Sequence, residues 1–242
     1  MFLFKKFNFN KPKQITALIR RVHETTKKPF TIIVEGNIGS GKTTFINHFK
    51  SNKDILTLTE PVEEWKNLKG YNLLHLMYND INKWAFTFQT YVQLTMTRLH
   101  EMETLKPVKM IERSIYSARY CFIENLHREG VLPPAQVVVL DEWFKWLISR
   151  EKLKCDLIVY LRTSPEVAYE RIKARKCEEE KNLMIEFVSK LHQCHEDWLY
   201  LNETFTCPAP VLILDANKNL QKIKEEYEVF QNEVDVKLRT LC

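Results

Sequence analysis

Five short apolar runs punctuate the chain: TIIVEG (31–36), ILTLTEP (55–61), VKMIERS (108–114), CDLIVYLRTSPE (155–166) and PVLILDA (210–216). Each is the length of a strand and is apolar without strict alternation, the pattern of strands buried on both faces. Between them the spacing changes to three and four. Phe45, Ile46 and Phe49 follow the first run; YNLLHLMYND and the stretch from Trp84 to Glu103 follow the second. SARYCFIENLHREG and PPAQVVVLDEWFKWLIS read as two more helices, the first ended by Gly130 and the second opened by prolines. Ser164 at N-cap and Pro165 at the first helical position start another. Further on, Met184, Phe187, Leu191, Cys194, Trp198 and Leu201 form one apolar helix face, and a final helix follows residue 216. Strand and helix alternate throughout, which predicts an α/β fold with a five-stranded parallel sheet and helices on both faces. No linker or repeat interrupts this pattern, so residues 30–242 read as one domain preceded by an extension, 1–29.

Charge changes the picture at the N-terminus. The chain carries a formal +5, but residues 1–29 alone hold eight Lys/Arg against the single acid Glu24, leaving the body at −2. A body without net positive charge argues against nucleic acid as a partner. No apolar run approaches the roughly 18 residues of a membrane span. The basic, nearly acid-free extension suggests a mitochondrial transit peptide, with a plain extension on a cytoplasmic protein as the alternative. The six cysteines are scattered without a C-x-x-C pair, as expected of free thiols in a reducing compartment. His192 and His195 lie three apart on a helix with no further ligand cluster, and read as packing or surface residues.

The chain has only five glycines, and three fall within GNIGSGKTT: Gly36, Gly39 and Gly41. With Lys42 and Thr43 they satisfy G-x-x-x-x-G-K-[ST] between a strand and a helix, the required context for a phosphate-binding loop. Backbone N–H groups of Gly36, Asn37, Ile38, Gly39, Ser40, Gly41, Lys42, Thr43 and Thr44 would converge on the phosphates of ATP or GTP. Lys42 would reach the β- and γ-phosphates, and the Thr43 hydroxyl would ligate Mg²⁺.

The other strand ends narrow the chemistry, because ligands of an open α/β sheet bind outside the carboxyl ends of its strands. Glu60 stands there, held extended by Pro61; Glu112 and Arg113 end the third run; the basic–acidic stretch ERIKARKCEEEK follows the fourth. There is no N-K-x-D guanine-reading motif. A carboxylate to take a proton, an acid beside Mg²⁺ and several arginines are the equipment of phosphoryl transfer to a hydroxyl.

The stretches VEGNIGSGKTT, LTEPVEEW, NLLHLMYND, FQTYVQLTM, ERSIYSARYCFIEN, LRTSPEVAYERI and CHEDWL, in this order over residues 30–216, resemble the deoxynucleoside kinases, most of all their mitochondrial thymidine kinase and multisubstrate insect branches. The resemblance implies a P-loop kinase fold with an arginine lid, ATP as donor, Mg²⁺, a deoxynucleoside acceptor and a homodimer. It implies that Glu60 is the general base toward the 5′-hydroxyl, that Arg113 holds Glu60 and the 5′-oxygen, and that Glu112 is the acid on the Mg²⁺ side. Gln89 would read the base, Phe122 stack on it, and Trp65 and Phe88 line the opposite wall. Tyr78 and Glu180 would bind the 3′-hydroxyl. Met96 and Ala118, apolar and small where deoxycytidine-type kinases carry charge, leave room for the thymine methyl. Thymidine and deoxycytidine are therefore the expected acceptors, with purines admitted if the cleft is roomy. Arg171 and Arg175 match the lid arginines, while Cys177 stands where relatives place another arginine.

Two rival readings remain at this level. A structural subunit built on the kinase fold would be expected to have lost parts of the machinery, yet Lys42, Thr43, Glu60, Gln89 and Arg113 are all present. A monophosphate kinase would need no general base such as Glu60, because its acceptor is a phosphate.

Overall fold

The computed structural model describes residues 6–7, 28–218 and 220–238. Six strands occur in it: β1 (Lys6–Phe7), β2 (Phe30–Glu35), β3 (Ile55–Leu58), β4 (Val108–Glu112), β5 (Leu157–Arg162) and β6 (Val211–Asp215). The helices are α1 (Lys42–His48), α2 (Val62–Lys66), α3 (Leu73–Asn79), α4 (Ile81–Glu101), α5, α6 (Pro134–Ile148), α7 (Pro165–Arg175), α8 (Ile185–His195) and α9 (Leu220–Leu238). Helix α5 is assembled from Ile115–Ser117, a wide π-helical turn over Ala118–Ile123, and Glu124–Arg128.

The strands form one sheet in the order β1-β6-β5-β2-β4-β3, and every pair is parallel. All five runs read from the sequence are strands of this sheet. The added strand, β1, falls in the extension and pairs Lys6 with Val211 and Phe7 with Leu212. Most of residues 1–29, including the stretch read as a targeting signal, lies outside the described residues.

The two faces of β2 carry different cores, as the alternation of side chains across a strand requires. Phe30, Ile32 and Val34 pack with Phe45, Ile46 and Phe49 of α1 and with Tyr227, Phe230 and Val234 of α9. Ile33 faces the other way, into a cluster that holds Met96 of α4, Ile115 and Cys121 of α5, and Leu191 and Trp198. Glu35 lies on that second face too, two residues on from Ile33 and completely buried.

Helix starts follow side-chain capping. Asn72 accepts from His75 N at 2.9 Å and Asp80 from Lys83 N at 3.2 Å, so YNLLHLMYND and the following stretch are two helices with a sharp joint. Ser164 caps α7 with Pro165 next, as expected from the sequence. The apolar face expected over 184–201 is only partly one face. Val188, Leu191, Cys194 and Trp198 are buried, but Met184 and Leu201 are exposed. Met184 precedes α8, and the chain widens into a π-helical turn over Glu196–Leu201, so the 3/4 spacing does not carry through either end. His195 is buried inside, its Nδ1–H donating to the Leu191 carbonyl at 2.7 Å.

Candidate active site

The phosphate-binding loop leaves β2 and enters α1 without a side-chain cap. Gly39 and Gly41 have φ of 78° and 94°, a region side chains rarely adopt. A Cβ on Gly39 would run into the Ala168 carbonyl, so α7 packs directly on the loop. A Cβ on Gly41 would meet nothing within 4 Å, which leaves the approach to the α1 N-terminus open. Asn37 secures the loop from behind: its Nδ2 donates to the Val188 carbonyl at 2.9 Å, and its Oδ1 accepts from Ile38 N at 2.8 Å. Ile38 and Ser40 are buried; Thr43 and Thr44 are exposed at the helix start.

Lys42 folds back, donating from Nζ to the Asn37 carbonyl at 2.7 Å. Burial pulls its ammonium down to about 7, helped by Arg113 and opposed by Glu112, Glu60 and Glu35. The Thr43 hydroxyl donates to Glu112 Oε1 at 2.7 Å, while Glu112 Oε2 accepts from Glu60 N at 3.4 Å. A hydroxyl and a carboxylate side by side at a phosphate-binding loop are hard oxygen donors, and they fit a Mg²⁺ ion shared with phosphates and water.

Glu60 lies two residues past β3, and Arg113 Nε approaches its Oε1 to 3.2 Å. Burial raises the Glu60 carboxyl, with Arg113 and Lys42 opposing. A carboxylate so placed is a better proton acceptor than a solvated one. Arg113 holds φ of 60° directly after β4, a strained conformation for a side chain of its size. Its backbone N–H is bonded to the Val34 carbonyl at 2.9 Å, and its guanidinium sits 4.7 Å over the Phe122 ring.

Ser114 explains how the strain is held. Its side chain accepts from Tyr116 N and Ser117 N, capping α5, while its hydroxyl donates to Glu35 Oε1 at 2.5 Å. Glu35 is thus the buried anchor under the Arg113 turn. Desolvation raises its carboxyl to about 7, although Ser114 and Arg113 oppose this. The sequence reading passed over Glu35 and Ser114; the available signal was an acid closing an otherwise apolar strand.

The acceptor side is one apolar cluster holding Trp65, Phe88, Met96 and Ala118, with Tyr78 and Phe122 packed against it. Trp65 donates to Thr95 Oγ1 at 2.9 Å and meets Phe88 edge-on, ring centres 5.5 Å apart. Gln89 is buried and its Oε1 has no protein partner, an unsatisfied acceptor in the middle of α4. The wide turn of α5 carries both Ala118 and Phe122, and such turns recur at functional sites.

The lid candidates diverge. Arg171 donates to the Lys218 carbonyl at 3.4 Å, whereas Arg175 Nε donates to Glu180 Oε2 at 2.8 Å. Glu180 also lies near Tyr78: burial pushes the Tyr78 phenol up, and the Glu180 charge adds to the effect. Tyr78, Glu180 and Arg175 therefore form one group; the Tyr78 and Glu180 pair was expected from the family resemblance, and its link to Arg175 was not.

The loop, its lysine, the acid Glu112 and the paired Glu60 and Arg113 make up the arrangement of a P-loop enzyme of phosphoryl transfer. The family profile for deoxynucleoside kinase matches residues 32–239, and the chain belongs to that family: it is a deoxynucleoside kinase. It is 46% identical over 202 residues to "Thymidine kinase 2, mitochondrial" of Homo sapiens, covering 84% of this chain and 76% of that one. Over 242 residues it is 34% identical to deoxycytidine kinase of Homo sapiens (87% and 91% covered), and over 231 residues 34% identical to deoxycytidine kinase 2 of Gallus gallus (81% and 86%).

Proposed function

We propose that this kinase transfers the γ-phosphoryl group of Mg·ATP to the 5′-hydroxyl of thymidine and of deoxycytidine, supplying deoxynucleotides for DNA synthesis. The observation that carries the reading is Gln89, buried with its Oε1 unpartnered. A carboxamide offers a donor and an acceptor side by side. It can face N3–H and O4 of thymine, or turn over to face N3 and the amino group of cytosine. Met96 and Ala118 put no charge against the pyrimidine edge.

In this reading Glu60 takes the 5′-hydroxyl proton as the oxygen attacks, and Arg113 steadies both. Lys42 leaves the Asn37 carbonyl for the β- and γ-phosphates, whose charge restores its own. Thr43 and Glu112 would hold Mg²⁺, which would supply positive charge to offset that of the phosphates. Arg171 and Arg175 close over the phosphates, and Tyr78 with Glu180 takes the 3′-hydroxyl. Placement in the mitochondrion is supported by the basic extension and by the name of one relative. A homodimer is supported by the solvent-facing side of α6, where Val138, Val139, Trp143 and Trp146 are all exposed. No helix among the described residues is long and apolar enough to cross a membrane.

The test is turnover of the four deoxynucleosides and of uridine by purified protein with Mg·ATP, with Glu60→Gln alongside. Thymidine and deoxycytidine should exceed the purines and uridine. Glu60→Gln should bind thymidine normally and lose at least about 100-fold in kcat, the usual scale of general-base catalysis. Equal rates on all four would refute the base preference, and near-normal kcat would remove Glu60 from the base role.

A further inference from the structure

Three glutamates follow one another in the turn after α7, and only Glu180 has a part in the mechanism above. Glu178 pairs with Lys181 at the surface. Glu179 instead reaches across to the acceptor side of the site. Its Oε2 lies 3.3 Å from Lys66 Nζ, and its Oε1 accepts from Asn72 Nδ2 at 3.4 Å. The Cys177 thiol donates to it as well, at 3.1 Å. Lys66 is the last residue of α2, which carries Trp65, and Asn72 is the N-cap of α3, which carries Tyr78. One carboxylate from the lid side therefore grips the ends of both helices that wall the acceptor. The Glu179 side chain is only 12% exposed and that of Lys66 27%, so the pair is partly withdrawn from water. The Cys177 thiol, opposed by burial and aided by the turn backbone and Lys66, holds the Glu179 carboxyl down at about 2, so it is charged at neutral pH.

The neighbouring Glu180 turns the opposite way, to Arg175 and toward Tyr78. The position of Glu180 is thus fixed from one side by Arg175 and from the other by the grip of Glu179. Cys177 matters here through what it is not: an arginine at 177 would compete with Lys66 for the same carboxylate.

We propose that Glu179, through Lys66 and Asn72, is the positioning residue that seats Glu180 and Tyr78 for the acceptor's 3′-hydroxyl. The proposal rests on the reading that Tyr78 and Glu180 take that hydroxyl. Glu179 acts through its contacts with Lys66 and Asn72, so its effect should appear only with acceptors that have the group.

The experiment compares thymidine with 3′-deoxythymidine in the native enzyme and in Glu179→Gln, Lys66→Met, the double variant, Tyr78→Phe and Glu180→Gln. Glu179→Gln and Lys66→Met should each cut the preference for thymidine about three- to fivefold, the scale of a partly exposed ion pair. The loss should appear in the KM for thymidine, with kcat/KM for 3′-deoxythymidine and the melting temperature unchanged. The double variant should be no worse than either single one. Equal losses on both acceptors would overturn the proposal, since they would signify a general effect on the lid. So would an unchanged preference in Glu179→Gln and Lys66→Met while Tyr78→Phe and Glu180→Gln abolish it. If Tyr78→Phe and Glu180→Gln also leave the preference intact, the 3′-hydroxyl reading itself fails and takes the proposal with it.

Discussion

Glu35 is fully buried between the phosphate-binding loop and the Arg113 turn, and its carboxyl is raised by desolvation from an ordinary 4.5 to about 7. An acid raised in the folded state favours folding while it is protonated. Its contribution is fully present below about 4.5 and is lost as pH rises through about 7, which amounts to about 3 kcal/mol across that window. Glu35→Gln keeps an oxygen for the Ser114 hydroxyl and removes the titration. It also removes an acid that supports the charge on Lys42, which acts in the same direction. The stability of the variant relative to the native protein should therefore climb between pH 5 and pH 7 and level off above it. Urea unfolding at pH 5, 6, 7 and 8 measures this, and a difference that stays flat with pH would mean that Glu35 ionises in the fold as it does in water.

At the scale of elements, a strongly constrained turn makes the sharpest case. Gly39 combines a positive φ with direct packing against the Ala168 carbonyl, so Gly39→Ala is strained in conformation and in space. We expect it to lower stability by about 1–3 kcal/mol and to weaken ATP binding at least tenfold. Thermal unfolding with and without Mg·ATP reads both; native-like stabilisation by the nucleotide would show that the loop tolerates a side chain there. This turn was legible in the sequence because glycine is so scarce elsewhere, and the five strands were legible because parallel strands buried on both faces are written as apolar runs. Other features were not. The 3/4 spacing around Met184 and Leu201 continued past the helix that buries it, since periodicity does not record where a helix starts or widens. The wide turn of α5 has no distinct spacing of its own, yet it carries Ala118 and Phe122 to the site. The pairing of β1 with β6 joins residues some 200 positions apart through a two-residue strand, too short to stand out from its polar surroundings. Among the candidate site residues, those on the loop and at strand ends could be named from motif and position. The pairing of Tyr78 with Glu180 was implied by the family resemblance, but the Arg175–Glu180 contact was not, because it depends on how the turn after α7 folds back.

At the scale of the whole molecule, α6 leaves an apolar surface without an internal partner among the described residues. On α6, Leu140, Phe144 and Leu147 are buried, while Val138, Val139, Trp143 and Trp146 point outward, each Trp 54% exposed. Trp143 and Trp146 meet edge-on at 5.9 Å, and Arg150 lies 5.2 Å over Trp146. Leu94 of the neighbouring α4 is exposed as well, while Gln89 and Met96 of the same helix are buried. Two neighbouring tryptophans in an exposed apolar patch mark an interaction surface. A second copy of the chain satisfies such a patch through a two-fold axis, with the same residues on both sides. A charge at its centre would be buried against its own symmetry mate, which costs several kcal/mol for an unpaired ion. If the proposed homodimer forms through this patch, Trp143→Glu should convert a particle of two chains into one of a single chain in sedimentation equilibrium at micromolar concentration. In the proposed site α4 carries Gln89 and Met96, so loss of its outer support should raise the KM for thymidine while the affinity for ATP stays near native. A Trp143→Glu variant that remains two chains would place the interface elsewhere, and a native protein that sediments as one chain at these concentrations would show that α6 faces water in the working enzyme.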